Sequence, residues 1–165
     1  MICCTFAGHR DAYESAAEDK VRALLFSLLE QDDDFCFFSG SMGRFDLMCE
    51  RIVREIKRLY PQKRIQLMLV LPYMHTSINT HSRYFHERYD DIIFPSELEG
   101  CPHKAAILRR NRWMINRSDY LIAYVFHCFG GAYATLKYAR QRSITIWNVA
   151  EPPAVGLNAY PKIWE

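Results

Sequence analysis

A chain of 165 residues, half of them hydrophobic and 24% charged, has the make-up of one globular domain with room for a sizeable buried core. The formal net charge of +2 is too small to mark a nucleic-acid protein by itself, and no apolar run reaches the ~20 residues that span a bilayer. The opening Met1-Ile2-Cys3-Cys4-Thr5-Phe6 carries neither the basic region nor the long apolar stretch of a secretion signal, which gives the expectation of a cytoplasmic protein with no membrane partner.

Ile2–Ala7 reads as a short buried strand. From Ala12 to Leu29, the positions Ala17, Val21, Leu24, Leu25 and Leu28 fall on one helical stripe, and Asp32-Asp33-Asp34 ends it. Phe35–Ser39 is a second buried strand. After Gly43 a helix turns Phe45, Met48, Ile52, Ile56 and Leu59 inward and Arg51, Arg54, Glu55 and Arg58 outward, until Pro61 closes it. Ile65–Leu71 is the continuous apolar run of a parallel strand buried on both faces, stopped by Pro72. The stretch from Tyr73 to Gly100 is irregular, with a short helix at Ser82–Asp90 and a short strand at Asp91–Phe94. Lys104–Asn116 is a basic helix, Tyr120–Val125 a strand, Gly131–Gln141 a helix and Thr145–Val149 the last strand. The tail beyond residue 150 has no period and is expected to pack across the surface through Tyr160 or Trp164.

Strands alternating with helices predict an α/β fold, a Rossmann-like three-layer sandwich with a mostly parallel sheet and helices on both faces, in a single domain over 1–165. Strand ends of such a sheet line up along one edge. Five of the seven glycines sit in loops directly after three of the strands. These loops are Gly8-His9-Arg10, Gly40-Ser41-Met42-Gly43 and Gly130-Gly131-Ala132. Each precedes a helix, so they are expected to converge on one anion-binding crevice.

Arg10 offers a guanidinium fork for phosphate or carboxylate, and His9 a donor or an acid–base group near neutrality. The alternative is a loop arginine paired with Asp11. Asp46 reads as a cap of the helix that begins after Gly43. The Gly130-Gly131 pair, with Thr135 one turn on, reads as a backbone anion cradle or as a plain tight turn. In Arg109-Arg110-Asn111-Arg112-Trp113-Met114, helical spacing puts Arg109, Arg112 and Asn116 on one face. That face either closes over a ligand or is a solvated basic surface. Pro72 and Tyr73, after the third strand, are candidates to meet a base or sugar. No Walker loop and no dinucleotide G-x-G-x-x-G is present, which argues against triphosphate hydrolysis and hydride transfer. The six cysteines contain no C-x-x-C and read as reduced packing thiols; His75, His81 and His86 match no metal-ligand spacing. No metal or cofactor is expected.

Taken in order, Phe6-Ala7-Gly8-His9-Arg10, Ser39-Gly40-Ser41-Met42-Gly43-Arg44-Phe45-Asp46, Leu69-Val70-Leu71-Pro72-Tyr73, Arg110-Asn111-Arg112-Trp113-Met114, Ser118-Asp119 and Gly130-Gly131 to Tyr138-Ala139 resemble the SLOG superfamily, and within it the YpsA-like bacterial family. The resemblance runs from about Thr5 to Val149. It implies a Rossmann-like sheet that binds nucleotides or nucleotide-derived ligands. Relatives in the superfamily include phosphoribohydrolases of the LOG type, molybdenum-cofactor carriers and the DNA-processing DprA proteins. LOG enzymes carry Pro-Gly-Gly-x-Gly-Thr-x-x-Glu with a catalytic glutamate. Here the second-half glycine is Ala134 and the glutamate position is Lys137, which cannot do a carboxylate's work. The expectation is therefore a nucleotide-binding sensor or carrier, with ligand contacts at Gly8, His9, Arg10, Gly40, Ser41, Met42, Gly43, Asp46, Pro72, Tyr73, Arg109, Arg112, Gly130, Gly131 and Thr135. One alternative is a nucleotide N-glycosidase or phosphoribohydrolase-like hydrolase drawing a carboxylate from Glu14, Asp46 or Glu87. A second is single-stranded nucleic-acid binding of the DprA type through Lys104, Arg109, Arg110, Arg112 and Arg117, placed last because of the low net charge. The aromatic-rich helices suggest a homodimer.

Overall fold

A computed structural model describes residues 1–11, 13–74 and 76–150; Ala12, His75 and the tail expected to pack through Tyr160 or Trp164 lie outside these. The chain forms β1 (Ile2–Gly8), α1 (Ser15–Leu29), β2 (Asp34–Ser39), α2 (Arg44–Leu59), β3 (Arg64–Val70), the short helices α3 (Ser77–Thr80) and α4 (Ser82–Arg88), β4 (Asp91–Ile93), α5 (His103–Asn116), β5 (Tyr120–Tyr124), α6 (Gly130–Ala139) and β6 (Thr145–Asn148). A single 3-10 turn, Ser96–Leu98, precedes α5.

All six strands are parallel, in the order β4-β3-β2-β1-β5-β6. The chain therefore steps outward from β1 to β4, crosses back through α5, and resumes at β5 on the other side of β1. The reversal between β1 and β5 is the place where loops leave the sheet in opposite directions and open a crevice.

Each strand is apolar on both sides because helices cover both faces. Cys4, Phe6, Phe35, Phe37, Leu67 and Leu69 pack with the Val21, Leu24, Leu25 and Leu28 stripe of α1 and with Phe45, Ile52 and Ile56 of α2. The alternate residues face the other way. Ala7, Leu121 and Ala123 meet Leu136 and Ala139 of α6, while Cys36, Phe38 and Val70 meet Met114 of α5. Burying a side chain the size of Phe35 or Phe37 stabilises by about 1.5–3 kcal/mol. The first helix starts at Ser15 rather than Ala12: Glu14 is still extended, and Ala17 N–H bonds Glu14 C=O to open the first turn. Cys4, Cys36 and Cys49 are buried free thiols, Cys3 and Cys101 are partly covered, and Cys128 is exposed. No helix among the described residues is long and apolar enough to cross a membrane.

Candidate functional site: a crevice at the strand-order reversal

A cavity of about 430 Å³ opens at the carboxyl ends of β1 and β5. Gly8, His9, Arg10 and Asp11 form one wall, Met42 and Asp46 a second, and His127, Phe129, Gly130 and Gly131 a third. Ile107, Arg110, Asn111 and Met114 of α5 form the floor. Those four positions follow i, i+3, i+4, i+7 spacing and share one helix face.

The floor is held by a hydrogen-bonded chain that starts at Arg110. This arginine is 1% exposed. Its Nη1 donates to Gly40 O at 3.1 Å and Val70 O at 2.6 Å, two carbonyls at the ends of β2 and β3. Its Nη2 lies 3.0 Å from Met42 Sδ, and its Nε donates to Asn111 Oδ1 at 2.8 Å. Asn111 Nδ2 donates to Thr135 Oγ1 at 3.0 Å, and Thr135 Oγ1 donates to Gly131 O at 2.8 Å. The loop after β2 is thus tied through α5 to the start of α6. Burial pulls the Arg110 guanidinium down to about 10, against the pull of the Asp46 charge, so it stays cationic at neutral pH.

Asp46 sits in the first turn of α2, and its Oδ2 accepts the Met42 N–H at 3.1 Å. Met42 precedes the N-cap residue Gly43, so this is not the cap bond expected of Asp46, and the same carboxyl also lines the cavity. Burial pushes its pKa up to about 6, offset in part by the Met42 N–H and by Arg110. His9 Nε2 faces the N–H groups of Phe126 and His127, each at 3.2 Å. Two donors aimed at Nε2 make it the acceptor and assign the proton to Nδ1. Burial and the neighbouring His127 hold its pKa below the usual histidine value, which favours this neutral form. Around it, Phe126, His127 and Phe129 form a run of rings: His127 and Phe129 stack 4.9 Å apart at 19°, and Phe129 is 67% exposed. Asn148 of β6 clamps the strand end below them, bonding both Val125 N and Val125 O.

The loop glycines separate into two kinds. A Cβ on Gly8 would strike Phe45, one on Gly40 would strike the Arg110 guanidinium, and one on Gly43 would approach Arg10 Cα at 2.9 Å. These three serve packing. Gly131 has nothing within 4 Å of the Cβ it lacks, and Gly130 likewise faces open space. At Gly131 no neighbour in the fold demands a missing side chain.

Of the residues singled out from sequence, Gly8, His9, Arg10, Met42, Asp46, Gly130 and Gly131 come together on the cavity wall. Thr135 stands behind it. The Gly40–Gly43 loop does not offer the row of N–H groups expected: Ser41 N–H is taken by Ser39 Oγ and Met42 N–H by Asp46. Ser41 itself meets the buried Tyr89: its Oγ–H donates to Tyr89 Oη at 3.1 Å, and Tyr89 Oη donates in turn to Glu50. The expected Arg109–Arg112–Asn116 face is directed elsewhere. Arg109 bonds Cys101 Sγ, Arg112 lies over the Tyr138 ring, and Asn116 accepts from Tyr138 Oη. Pro72 is buried, Tyr73 stacks on His103, and Trp113 packs on Phe38 beneath Arg117; none of them lines the cavity. Glu14, Glu87 and Lys137 also lie off it. The residues that sequence reasoning did not place here are Ile107, Asn111, Met114, His127 and Phe129, with Arg110 as their buried anchor.

Comparison with known proteins gives no matching family model and no match among curated proteins. Solved structures do match. DNA processing protein A (DprA) from Streptococcus pneumoniae superposes with TM-score 0.61 at 12% identity, over 88% of this chain and 49% of that one. DprA from Helicobacter pylori, described for its single-stranded DNA binding mode, gives 0.60 at 16% identity over 88% and 63%. The structural-genomics target TM1055 gives 0.54 at 12% identity over 84% and 68%. The chain thus spans less than two thirds of either DprA chain. The likeness is one of fold: a Rossmann-like α/β sheet, as the alternation of strands and helices predicts.

Among the described residues, no group of three or more His, Cys, Asp or Glu side chains is gathered closely enough to hold a metal ion.

Proposed function

We propose that this chain binds a nucleotide or nucleotide-derived metabolite in the crevice, as a sensor or carrier. The observation that carries the reading is the open-backed Gly130–Gly131 start of α6 on the wall of the cavity at the strand-order reversal, with Arg10 on another wall. A helix start free of side chains suits a phosphate, and Arg10 supplies countercharge. The stacked His127 and Phe129 at the rim offer a face for a base. Of the phosphate contacts expected from sequence, this reading keeps Gly130–Gly131 and Arg10 and drops Gly40–Gly43 and Arg112, and it moves the base from Pro72, Tyr73 and Trp113 to Phe129. The ordered motifs that resemble the SLOG superfamily support the same ligand class.

Thermal-shift measurements against mono-, di- and cyclic nucleotides and ADP-ribose test this. A ligand at 100 times its Kd stabilises by about 2.7 kcal/mol. The shift is expected with at least one of them and is lost in Arg10→Ala. Absence of any shift at millimolar ligand would sink the reading.

A second reading, nucleotide hydrolysis, is favoured by one feature. Asp46 is a carboxyl on the cavity wall that changes protonation near pH 6, suited to general acid–base work. Incubation with nucleoside monophosphates and assay for free base or ribose phosphate separates the two. Turnover that vanishes in Asp46→Asn, with binding retained, decides for hydrolysis; no product decides for binding alone.

A further inference from the structure

The outer face of α2 carries a second feature, away from the crevice floor. Two adjoining cavities of about 710 Å³ and 520 Å³ share Arg51, Arg54 and Arg88 and form one trough between α2 and α4. Arg44, Arg51, Arg54, Lys57 and Arg58 line it from α2, and Arg88 lines it from α4. Arg44, Arg51, Arg54 and Arg58 recur at intervals of seven, three and four, so they form one ridge about 21 Å long at 1.5 Å per residue.

Among the described residues three carboxylates line the trough, and each is engaged. Glu18 is held by Arg22 and Arg51, Glu87 by Arg83, and Asp90 by Lys57. Arg44, Arg58 and Arg88 are exposed and meet no carboxylate among the described residues. Arg54 reaches only the fully buried Glu50, at 3.6 Å, and its Nη1 is buried without a hydrogen bond. Glu50 already accepts from Ser39 Oγ at 2.7 Å and Tyr89 Oη at 2.9 Å. The net charge of +2 thus hides a segregated surface, because acidic residues elsewhere balance a positive trough.

Three tyrosines, Tyr13, Tyr84 and the buried Tyr89, also line it, and Tyr84 is 46% exposed with the Arg88 guanidinium 4.3 Å from its ring centre. A row of guanidinium groups with interleaved aromatic rings is the chemistry that tracks a phosphate backbone while stacking its bases. The basic helix face expected for this role is dispersed: Arg110 is buried, Arg112 lies on Tyr138, and Arg117 pairs with Glu97 and covers Trp113. We propose that the trough along α2 and α4 binds single-stranded nucleic acid, with Arg44, Arg58 and Arg88 on phosphates and Tyr84 against a base. This proposal stands apart from the crevice reading.

Fluorescence anisotropy with labelled oligo-dT and oligo-rU about twenty nucleotides long tests it on the full chain. Three phosphate contacts give a log–log salt slope of about −2, or a loss of about 20-fold between 50 mM and 200 mM salt. The Arg44→Glu/Arg58→Glu/Arg88→Glu variant is expected to lose binding at least about tenfold. Each single reversal loses part of it. These sites are exposed, so an unchanged melting temperature shows that the loss is local. Tyr84→Ala weakens oligonucleotide binding, and Arg10→Ala in the crevice leaves it unchanged. The proposal is overturned by absence of binding at low salt, by reversals without effect, by loss in Arg10→Ala equal to that of the reversals, or by a poly-glutamate peptide of equal length binding equally well. That last result would assign the trough to an acidic protein segment.

Discussion

The Arg110 guanidinium occupies the space where a side chain at Gly40 would lie: a Cβ there falls 2.5 Å from Nη1, and Nη1 donates to the Gly40 carbonyl itself. The two residues are 70 apart in sequence, and together they fix the end of β2 against α5. Gly40→Ala is therefore expected to destabilise by about 1–3 kcal/mol through overpacking. Arg110→Met removes the donor of two buried carbonyls and is expected to cost about 3 kcal/mol. Chemical denaturation of both variants checks this; wild-type midpoints would remove Arg110 as the anchor of the crevice floor.

Gly131→Ala separates packing from binding. Nothing lies within 4 Å of the added methyl, and alanine favours a helix start over glycine, so stability is expected to hold or rise by up to about 1 kcal/mol. Affinity for the nucleotide that shifts the wild type is expected to fall, because the methyl would stand where the proposed phosphate approaches the backbone. Titration calorimetry on the folded variant reads both effects. Unchanged affinity would show that the phosphate lies elsewhere.

Asp46 gives the folded protein a pH dependence of defined sign. Its pKa is about 6 in the folded chain and about 4 when unfolded, so between those values the folded state holds a proton that the unfolded state has lost. Stability from this group is present at acid pH and declines as pH rises from about 4 to 6, by about 2–3 kcal/mol. Glu18 and Asp32, held below their ordinary values by Arg51 and by the chain's amino terminus, work in the opposite direction at lower pH. The measurement is the difference between wild-type and Asp46→Asn melting curves across pH 3.5–7.5. A difference that does not change with pH would place Asp46 in a wetter setting than the one described.

His9 supplies a spectroscopic check. Its imidazole is expected to titrate below the usual histidine midpoint of about 6.5, and its neutral form to carry the proton on Nδ1. Nitrogen-15 shifts of the ring report both. Proton on Nε2 would mean that the Phe126 and His127 amides do not converge on it.

Strands and helices were legible because apolar runs, helical stripes and glycine or proline punctuation all agreed, and every expected strand from Ile2 to Val149 is present within a residue or two. The crevice was half legible. Loops after β1 and β5 could be placed at one edge from alternation alone. The α5 floor could not, because Arg109-Arg110-Asn111-Arg112 reads as solvated on any hydropathy pattern. Arg110 is buried by the need of the Gly40 and Val70 carbonyls for a donor, and that need appears only once β2 and β3 are in register. The spacing Ile107, Arg110, Asn111, Met114 was the available signal. Cationic spacing pointed to Arg109 and Arg112 instead. In the same way, His127 and Phe129 became rim residues only when His9 gathered their loop.

The reversal of strand order has a consequence for how the molecule is made. Central strand β1 meets β5 across more than a hundred residues, as when Asp119 Oδ2 accepts the Cys3 N–H from 116 positions away. The first two-thirds of the chain can pair β1 to β4 and pack α1 and α2 without them. The floor and third wall of the crevice, and the Arg110 chain, arrive only with α5, β5 and α6. Closing so long a loop is slow, so the crevice is the last part of the fold to be completed. A nascent chain has its scaffold and two walls of the crevice before it has the floor and the third wall.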